Sequence, residues 1–446
     1  MKQKELIYFP SLSSFAPYLK KDIPLINNYS HRFYDDSFGK FAHKFFLLSA
    51  GANYKKKTMR KDLAMDDCLV FGDSGGFQIA TGALKWDVSL RESIFNWLED
   101  NSDIAMNIDI PPFGNNYSFA DCLKMTVENM QWFEDHQTGK TDFLNVIQCR
   151  TIAEMEKWFA AVKGFKKFKG WGAGNVASAQ NFGHLVYLFL KNRVFEDPNF
   201  KWFHFLGKTT PHHFILHAVL QKKLNQYFPH IQVTTDSSTP AMQAVFGNFY
   251  HSVNFRNQSF AKVYYGNKGK TNYIEDAKLP CGIDCPMCKE LTFKNIANDG
   301  GAARFYIAYH NLFLMQKALE DINDLSLAHF DIFESILPKQ EYDLLVVISE
   351  LFETFFEEEG RDKTKSDENV FEKYYASKRK LLRRYQVETP KKPTDGEDNG
   401  DDKIINNIDI FSEGNRTGNS KKIITSREEE LVDSLQLGKE ITDFEK

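Results

Sequence analysis

Short apolar runs recur along the chain, each bounded by polar residues: 44–50 (KFFLLSA), 67–72 (DCLVFG), 103–108 (DIAMNI), 142–147 (DFLNVI), 201–206 (KWFHFL) and 230–235 (HIQVTT). Runs of this length read as buried strands. Between them the apolar positions fall at helical spacing, over 90–99, 119–136, 152–165, 184–192 and 212–227. Pro211 precedes the last of these, where a first-turn proline belongs. Strand and helix alternate in this way when parallel strands are joined by crossover helices.

The strand ends carry the next signal. They read Gly72-Asp73, Asp109-Ile-Pro-Pro, Gln148-Cys-Arg, Gly170-Trp-Gly-Ala-Gly-Asn, Gly207-Lys-Thr-Thr and Asp236-Ser-Ser-Thr. A doubly wound sheet places its ligand at one switch point. A (β/α)8 barrel builds its site from the loops after many strands. Polar or glycine-rich ends in series predict the barrel, an α/β fold of the TIM type.

Composition narrows the setting. The first residues, MKQKELIYFPSLSSF, lack the sustained apolar stretch of a secretory signal, and no apolar run reaches the roughly 18 residues of a membrane span. The expectation is a cytoplasmic protein without a membrane partner. Six cysteines are too few for a disulfide scaffold at this length, and three of them fall between 281 and 288. The net charge of −4 is carried by residues 387–446, which hold 15 acidic and 9 basic side chains. That tail is rich in Gly, Asp and Asn and is expected to be disordered, with a short amphipathic piece near 428–437. The domain division expected is a barrel over 1–275, a metal-binding subdomain with the last barrel helix over 276–325, a helical extension over 326–386, and the tail.

Phe71-Gly-Asp-Ser-Gly-Gly-Phe-Gln78 contains GDSGG, the letters around the nucleophilic serine of trypsin-like proteases. Those enzymes order their triad His, Asp, Ser. Only His31 and His43 precede Ser74, too little chain lies ahead of it for a first β-barrel, and the surroundings alternate strand with helix. The protease reading fails.

The same stretch, Asp73-Ser-Gly-Gly-Phe-Gln78, together with six motifs farther along the chain, resembles the tRNA-guanine transglycosylase superfamily. Asp109-Ile-Pro-Pro is similar to that family's Asp-Ile-Pro strand end, and Val146-Ile-Gln148 to its Ile-Ile-Gln. Gly170-Trp-Gly-Ala-Gly174 resembles a Gly-Leu-Ala-Val-Gly turn, Phe205-Leu-Gly207 a Leu-Met-Gly segment, and Thr235-Asp236-Ser237 the Phe-Asp-Ser element of archaeal-type members. Cys281-Gly-Ile-Asp-Cys285-Pro-Met-Cys288 with His310 resembles the family's zinc element, although the first gap is longer than the family's Cys-x-Cys and the interval to the histidine is shorter. The motifs run in family order from about residue 44 to 325. The resemblance implies a (β/α)8 barrel with an inserted zinc subdomain, C-terminal helices, and structural Zn²⁺ on Cys281, Cys285, Cys288 and His310. Four protein ligands leave no open position for water.

By the same resemblance, Asp236 attacks C1′ of the target nucleoside and Asp73 acts as acid and then base. Two carboxylates in these roles suit chemistry at an oxocarbenium-like carbon. Asp109 and Gln148 read the edge of a guanine-like base, Gly172 and Gly174 let it approach the backbone, and Phe77 and Leu206 sandwich it. Ser74, Gln78 and Gly207 complete the substrate-binding set. Each residue has a plainer reading: Asp73 and Asp236 as helix caps, Gln148 as a buried backbone partner, the glycines as turn formers, Phe77 and Leu206 as core. Asp236 is followed by Ser-Ser-Thr-Pro-Ala-Met-Gln and not by the Pro-Thr-Arg element of bacterial-type members. Helices and an acidic tail take the place of the RNA-binding domains of archaeal-type members. That combination is similar to the paralogues that insert 7-deazaguanines such as preQ0 into DNA, known from phages and bacterial modification clusters. DNA is therefore the expected polymer, with tRNA as runner-up. A homodimer or an accessory protein is a further partner to consider. Basic stretches at 55–61, 163–169 and 378–384 are candidates to grip phosphates. Two rival functions are a non-catalytic nucleic-acid-binding paralogue, which would not need Asp73, Asp109 and Asp236 together, and a barrel hydrolase holding metal on its carboxylates.

Overall fold

The structure is a computed structural model that describes residues 3–12, 32–112, 117–176, 178–255, 259–264, 278–279, 281–283, 285–288, 291–293, 301–328, 331–359 and 370–384. The acidic tail and the amphipathic piece within it lie outside the described residues.

Eight parallel strands form the centre: β1 Ile7–Pro10, β2 Phe45–Ser49, β3 Leu69–Asp73, β4 Ile104–Met106, β5 Asp142–Gln148, β6 Gly170–Gly174, β7 Trp202–Phe205 and β8 Gln232–Ser237. Their order is β1-β8-β7-β6-β5-β4-β3-β2, so β1 and β2 are the two ends of the sheet. Among the described residues one parallel bridge, Ser11 to Leu47, brings those ends together. Side chains cross the same seam. His43 Nε2 donates to the Tyr8 carbonyl at 3.1 Å, and the rings of Phe9 and Phe45 meet edge-on at 6.0 Å. The result is the expected (β/α)8 barrel, nearly closed.

The crossovers are α1 Gly76–Ala80, α2 Val88–Asn101, α3 Phe119–His136, α4 Ile152–Val162, α5 Ala179–Lys191 and α6 Pro211–Tyr227, with α7 Thr239–Val245 after the last strand. Their starts are chemically marked. The side chains of Asp87, Thr151, Ser178 and Thr210 each accept a first-turn amide, and Ser118 with Asp121 forms a capping box. Helix α6 buries residues on all sides, from Phe214 to Leu224, because the sheet covers one face and two later helices, α8 Gly301–Ala328 and α9 Lys339–Glu359, cover the other. Helix α10 Val370–Arg384 packs on α5 and α9. An antiparallel hairpin, β9 Asn248–Asn254 and β10 Ser259–Tyr264, packs on α8.

Two strands depart from the sequence reading. β1 is short and ends in proline, so its pattern is faint. Gly170–Gly174, expected as a turn, is strand β6, paired with both β5 and β7. Two of its glycines lie close under side chains of neighbouring strands. A Cβ on Gly172 would lie 2.5 Å from Met106 Sδ, and one on Gly174 would lie 2.0 Å from Gln148 Oε1. Phe71 stacks on His204 at 3.9 Å and meets Phe9 at 5.5 Å, which closes the barrel beneath the strand ends.

Two of the basic stretches, 55–61 and 163–169, reach the end of the barrel opposite the mouth. Residues 163–169 join α4 to the start of β6, at the opposite end, where Glu134 accepts from the Lys166 and Lys167 amides. In 55–61, Arg60 bonds Asp103, just ahead of β4, and the Cys68 carbonyl, just ahead of β3. In 378–384, Lys378 pairs with Glu350 of α9. No helix among the described residues is long and apolar enough to cross a membrane.

Candidate functional site

Parallel strands in a barrel deliver their C-terminal ends to one mouth. Asp73, at the end of β3, accepts from Ser49 Oγ at 2.8 Å and from the Gly75 amide at 3.2 Å. Gly75 has φ +87°, a left-handed turn that glycine adopts without strain. The chain then passes so close to its neighbours that Gly76 admits no side chain, since a Cβ would sit 1.7 Å from the Asp109 carbonyl oxygen. This contact sets the loop that carries Ser74, Phe77 and Gln78 against the loop that carries Asp109.

Asp109 is buried, and its Oδ2 accepts from Gln148 Nε2 at 2.7 Å. Burial pushes its pKa up to about 7, with the Asp73 charge adding to the rise and the Gln148 amide opposing it. Asp73 is also raised, by burial first and by the Asp236 charge, against the pull of Ser49 and Gly75. Asp73 thus feels the Asp236 charge and Asp109 feels the Asp73 charge. Two buried polar atoms here have no partner among the described residues: Ser74 Oγ and Gln148 Oε1.

Asp236, near the end of β8, is anchored from β7. Its Oδ1 accepts from the Gly207 amide at 2.8 Å and lies 3.1 Å from His204 Nε2. Gly207 has φ +66°, which lets the backbone turn its N–H onto the carboxylate. Leu206 is partly buried against the core, and its amide bonds the Ala173 carbonyl of β6 at 3.0 Å. Phe77 is 60% exposed at the rim.

The sequence-predicted residues therefore gather at the mouth in two groups. Ser74 and Gln78 follow Asp73 on the loop set against Asp109, which holds Gln148 with Gly174 beside it, and Leu206 and Gly207 accompany Asp236 on the other side. Gly172 lies deeper, under Met106. The space beside Gly172 and Gly174 is filled by protein side chains, so their smallness has a packing cause. Sequence reasoning missed Ser49 and His204. Ser49 was hidden as the last residue of an apolar run. His204 sits in KWFHFL among aromatics, where only the two-residue alternation of a strand turns it inward.

A second cluster lies against α8, which supplies only its His310. The ligand atoms of Cys281, Cys285, Cys288 and His310 all fall within 4.8 Å of one another, so the four residues could hold a metal ion. Cys285 and Cys288 sulfurs are 3.0 Å apart, well beyond the roughly 2.05 Å of a disulfide. His310 turns Nδ1 to the thiols, 3.3 Å from Cys285 and from Cys288, and donates from Nε2 to the Tyr250 carbonyl at 2.6 Å. That outer bond fixes the ring as a ligating histidine requires. Asn311 ties the hairpin to the same helix by accepting the Tyr250 amide at 2.8 Å. Three thiolates and an imidazole are a donor set suited to tetrahedral zinc.

No protein-family model matches the chain, and no curated protein does. Among solved structures, a "putative sugar phosphate isomerase/epimerase" from Anabaena variabilis is similar over 71% of this chain and 99% of its own, at 10% identity and a TM-score of 0.35. At that score the likeness carries no argument about chemistry, and the barrel stands on its own strand order.

Proposed function

We propose that the protein is a guanine transglycosylase, a pentosyltransferase of the tRNA-guanine transglycosylase type. It would exchange guanine in a nucleic acid for a 7-deazaguanine such as preQ0 through a covalent aspartyl intermediate. The observation that carries the reading is the buried pair Asp109–Gln148 beside Asp73, with Gln148 Oε1 and Ser74 Oγ left without partners. An unpaired buried polar atom costs about 1–3 kcal/mol, a cost that a ligand with matching donors and acceptors relieves. A flat guanine edge presents both.

In the proposed reaction an Asp236 oxygen attacks C1′. The C1′–O bond forms as the C1′–N9 bond breaks, and the electron pair leaves with the base. Asp73 gives the departing base its proton, a role that the upward shift of its pKa favours. The incoming 7-deazaguanine then loses a proton to Asp73, attacks C1′ and releases Asp236. Asp109 and Gln148 hold the base edge throughout. Cys281, Cys285, Cys288 and His310 would hold a structural zinc with no position open to water.

The polymer is proposed to be DNA, because Ser-Ser-Thr-Pro succeeds Asp236 and helices with an acidic tail succeed the zinc element. Reaching C1′ in a duplex requires the target base to leave the stack, at a cost of a few kcal/mol. The test is exchange of labelled guanine in purified DNA and tRNA, with trapping of the covalent adduct. Asp236→Ala should abolish exchange and adduct, and Asp73→Ala should abolish exchange while leaving base binding measurable. Normal turnover by Asp236→Ala would end the mechanism. Labelling confined to tRNA would replace DNA as the substrate and leave the chemistry intact.

A further inference from the structure

We propose that His204 is a positioning residue that selects Oδ2 of Asp236 as the attacking atom. The inference rests on the base-exchange reading. Both anchors of the Asp236 carboxylate converge on one oxygen: Oδ1 takes the Gly207 N–H at 2.8 Å and faces His204 Nε2 at 3.1 Å. Oδ2 has no hydrogen-bond partner among the described residues, and the side chain is only 14% exposed. One oxygen is held and the other is presented.

The rest of the histidine fixes its proton. An ionised carboxylate only accepts, so Nε2 must carry hydrogen. In a neutral ring Nδ1 is then an acceptor, and the Thr234 hydroxyl, 2.8 Å away on β8, donates to it. Thr234 and the imidazole are fully buried, and the ring is clamped flat on Phe71 at 3.9 Å, with the edge of Phe9 at 6.4 Å. The ring cannot rotate to offer its other nitrogen. A ring that donates while neutral steers a carboxylate without cancelling the charge that makes it a nucleophile. When Oδ2 bonds to C1′, Oδ1 becomes the carbonyl oxygen of the glycosyl ester. The same two N–H groups then face the atom that recovers negative charge as the second base displaces Asp236.

The experiment uses the full chain with His204→Phe and His204→Gln. Glutamine can place an N–H near Oδ1 and an acceptor near Thr234; phenylalanine fills the space and offers neither. His204→Phe should lower kcat for labelled-base exchange about 100-fold, the scale of a 1 Å misplacement, with KM for the polymer nearly unchanged. His204→Gln should recover most of that loss. A His204→Phe variant with wild-type kcat overturns the proposal, as do Phe and Gln variants that are equally slow. A second readout does not depend on turnover. In ¹⁵N-histidine-labelled protein, the resonance lost in His204→Gln should report the Nε2–H tautomer, and an Nδ1–H tautomer overturns the proposal. A wild-type chain that exchanges no base in any polymer sinks the parent reading, and this inference with it.

Discussion

Asp109→Asn should make the protein more stable at pH 8 than the wild type, with a gain that grows as pH rises. Asp109 titrates near 7 in the folded chain against 3.8 when unperturbed. Between those values the unfolded chain has released the proton and the folded chain still holds it. The folded state therefore binds more protons, and stability falls as pH rises through this window. At 1.36 kcal/mol per pKa unit the full penalty is about 4 kcal/mol above pH 7, and roughly 2–3 kcal/mol of it accrues between pH 5 and 8. Asparagine keeps an oxygen for the Gln148 Nε2–H and offers an amide toward the unpartnered Gln148 Oε1, but it does not ionise. Urea unfolding of both proteins at pH 5, 6, 7 and 8 should show the difference in unfolding free energy widening by about 2–3 kcal/mol in favour of the variant. Parallel pH dependence in the two proteins would show that Asp109 does not titrate in this range, and the reasoning from its burial would be wrong.

Cys285→Ala and His310→Ala should each bring metal content well below one zinc per chain and lower stability by on the order of 4 kcal/mol, the range reached by loss of a metal site; full zinc by elemental analysis with unchanged melting would refute the assignment. Gly76→Ala should destabilise the chain by about 1–3 kcal/mol, because a Cβ 1.7 Å from the Asp109 carbonyl oxygen forces two backbones apart. An unchanged melting temperature would deny that close approach. His43 is pushed down by burial to about 4 from 6.5, so the folded chain prefers the neutral ring and its stabilising contribution is lost as pH falls from 6.5 toward 4. His43→Gln should flatten that acid limb by up to about 3 kcal/mol in the same urea assay, and an unaltered limb would count against it.

The fold was legible wherever a strand is apolar and long. Runs such as KFFLLSA and DFLNVI correspond to β2 and β5 within two residues. It was not legible in β6, whose Gly-Trp-Gly-Ala-Gly composition argues against a strand by propensity. The cause is tertiary: Met106 and Gln148, from other strands, occupy the volume that side chains would need. The acidic members of the site were readable because a carboxylate at a strand end is conspicuous. Their orienting partners were not. Ser49 and His204 gain meaning only once β2 lies beside β3 and β7 beside β8. The basic runs at 55–61 and 163–169 mark the opposite limit, since charge is visible in sequence while the end of the barrel on which it sits is not.

The seam between β1 and β2 is the joint of the barrel with the fewest backbone pairs among the described residues. Asp236 belongs to β8, which ladders onto β1, and Asp73 belongs to β3, which ladders onto β2. Each carboxylate therefore rides on a paired two-strand unit, while among the described residues the joint between the units holds one backbone bridge and the His43 bond to Tyr8, with Phe9 packed against Phe45 and Phe71 across it. Parting of that joint would separate Phe9 from Phe71 and shift Asp73 relative to Asp236 while leaving both ladders paired.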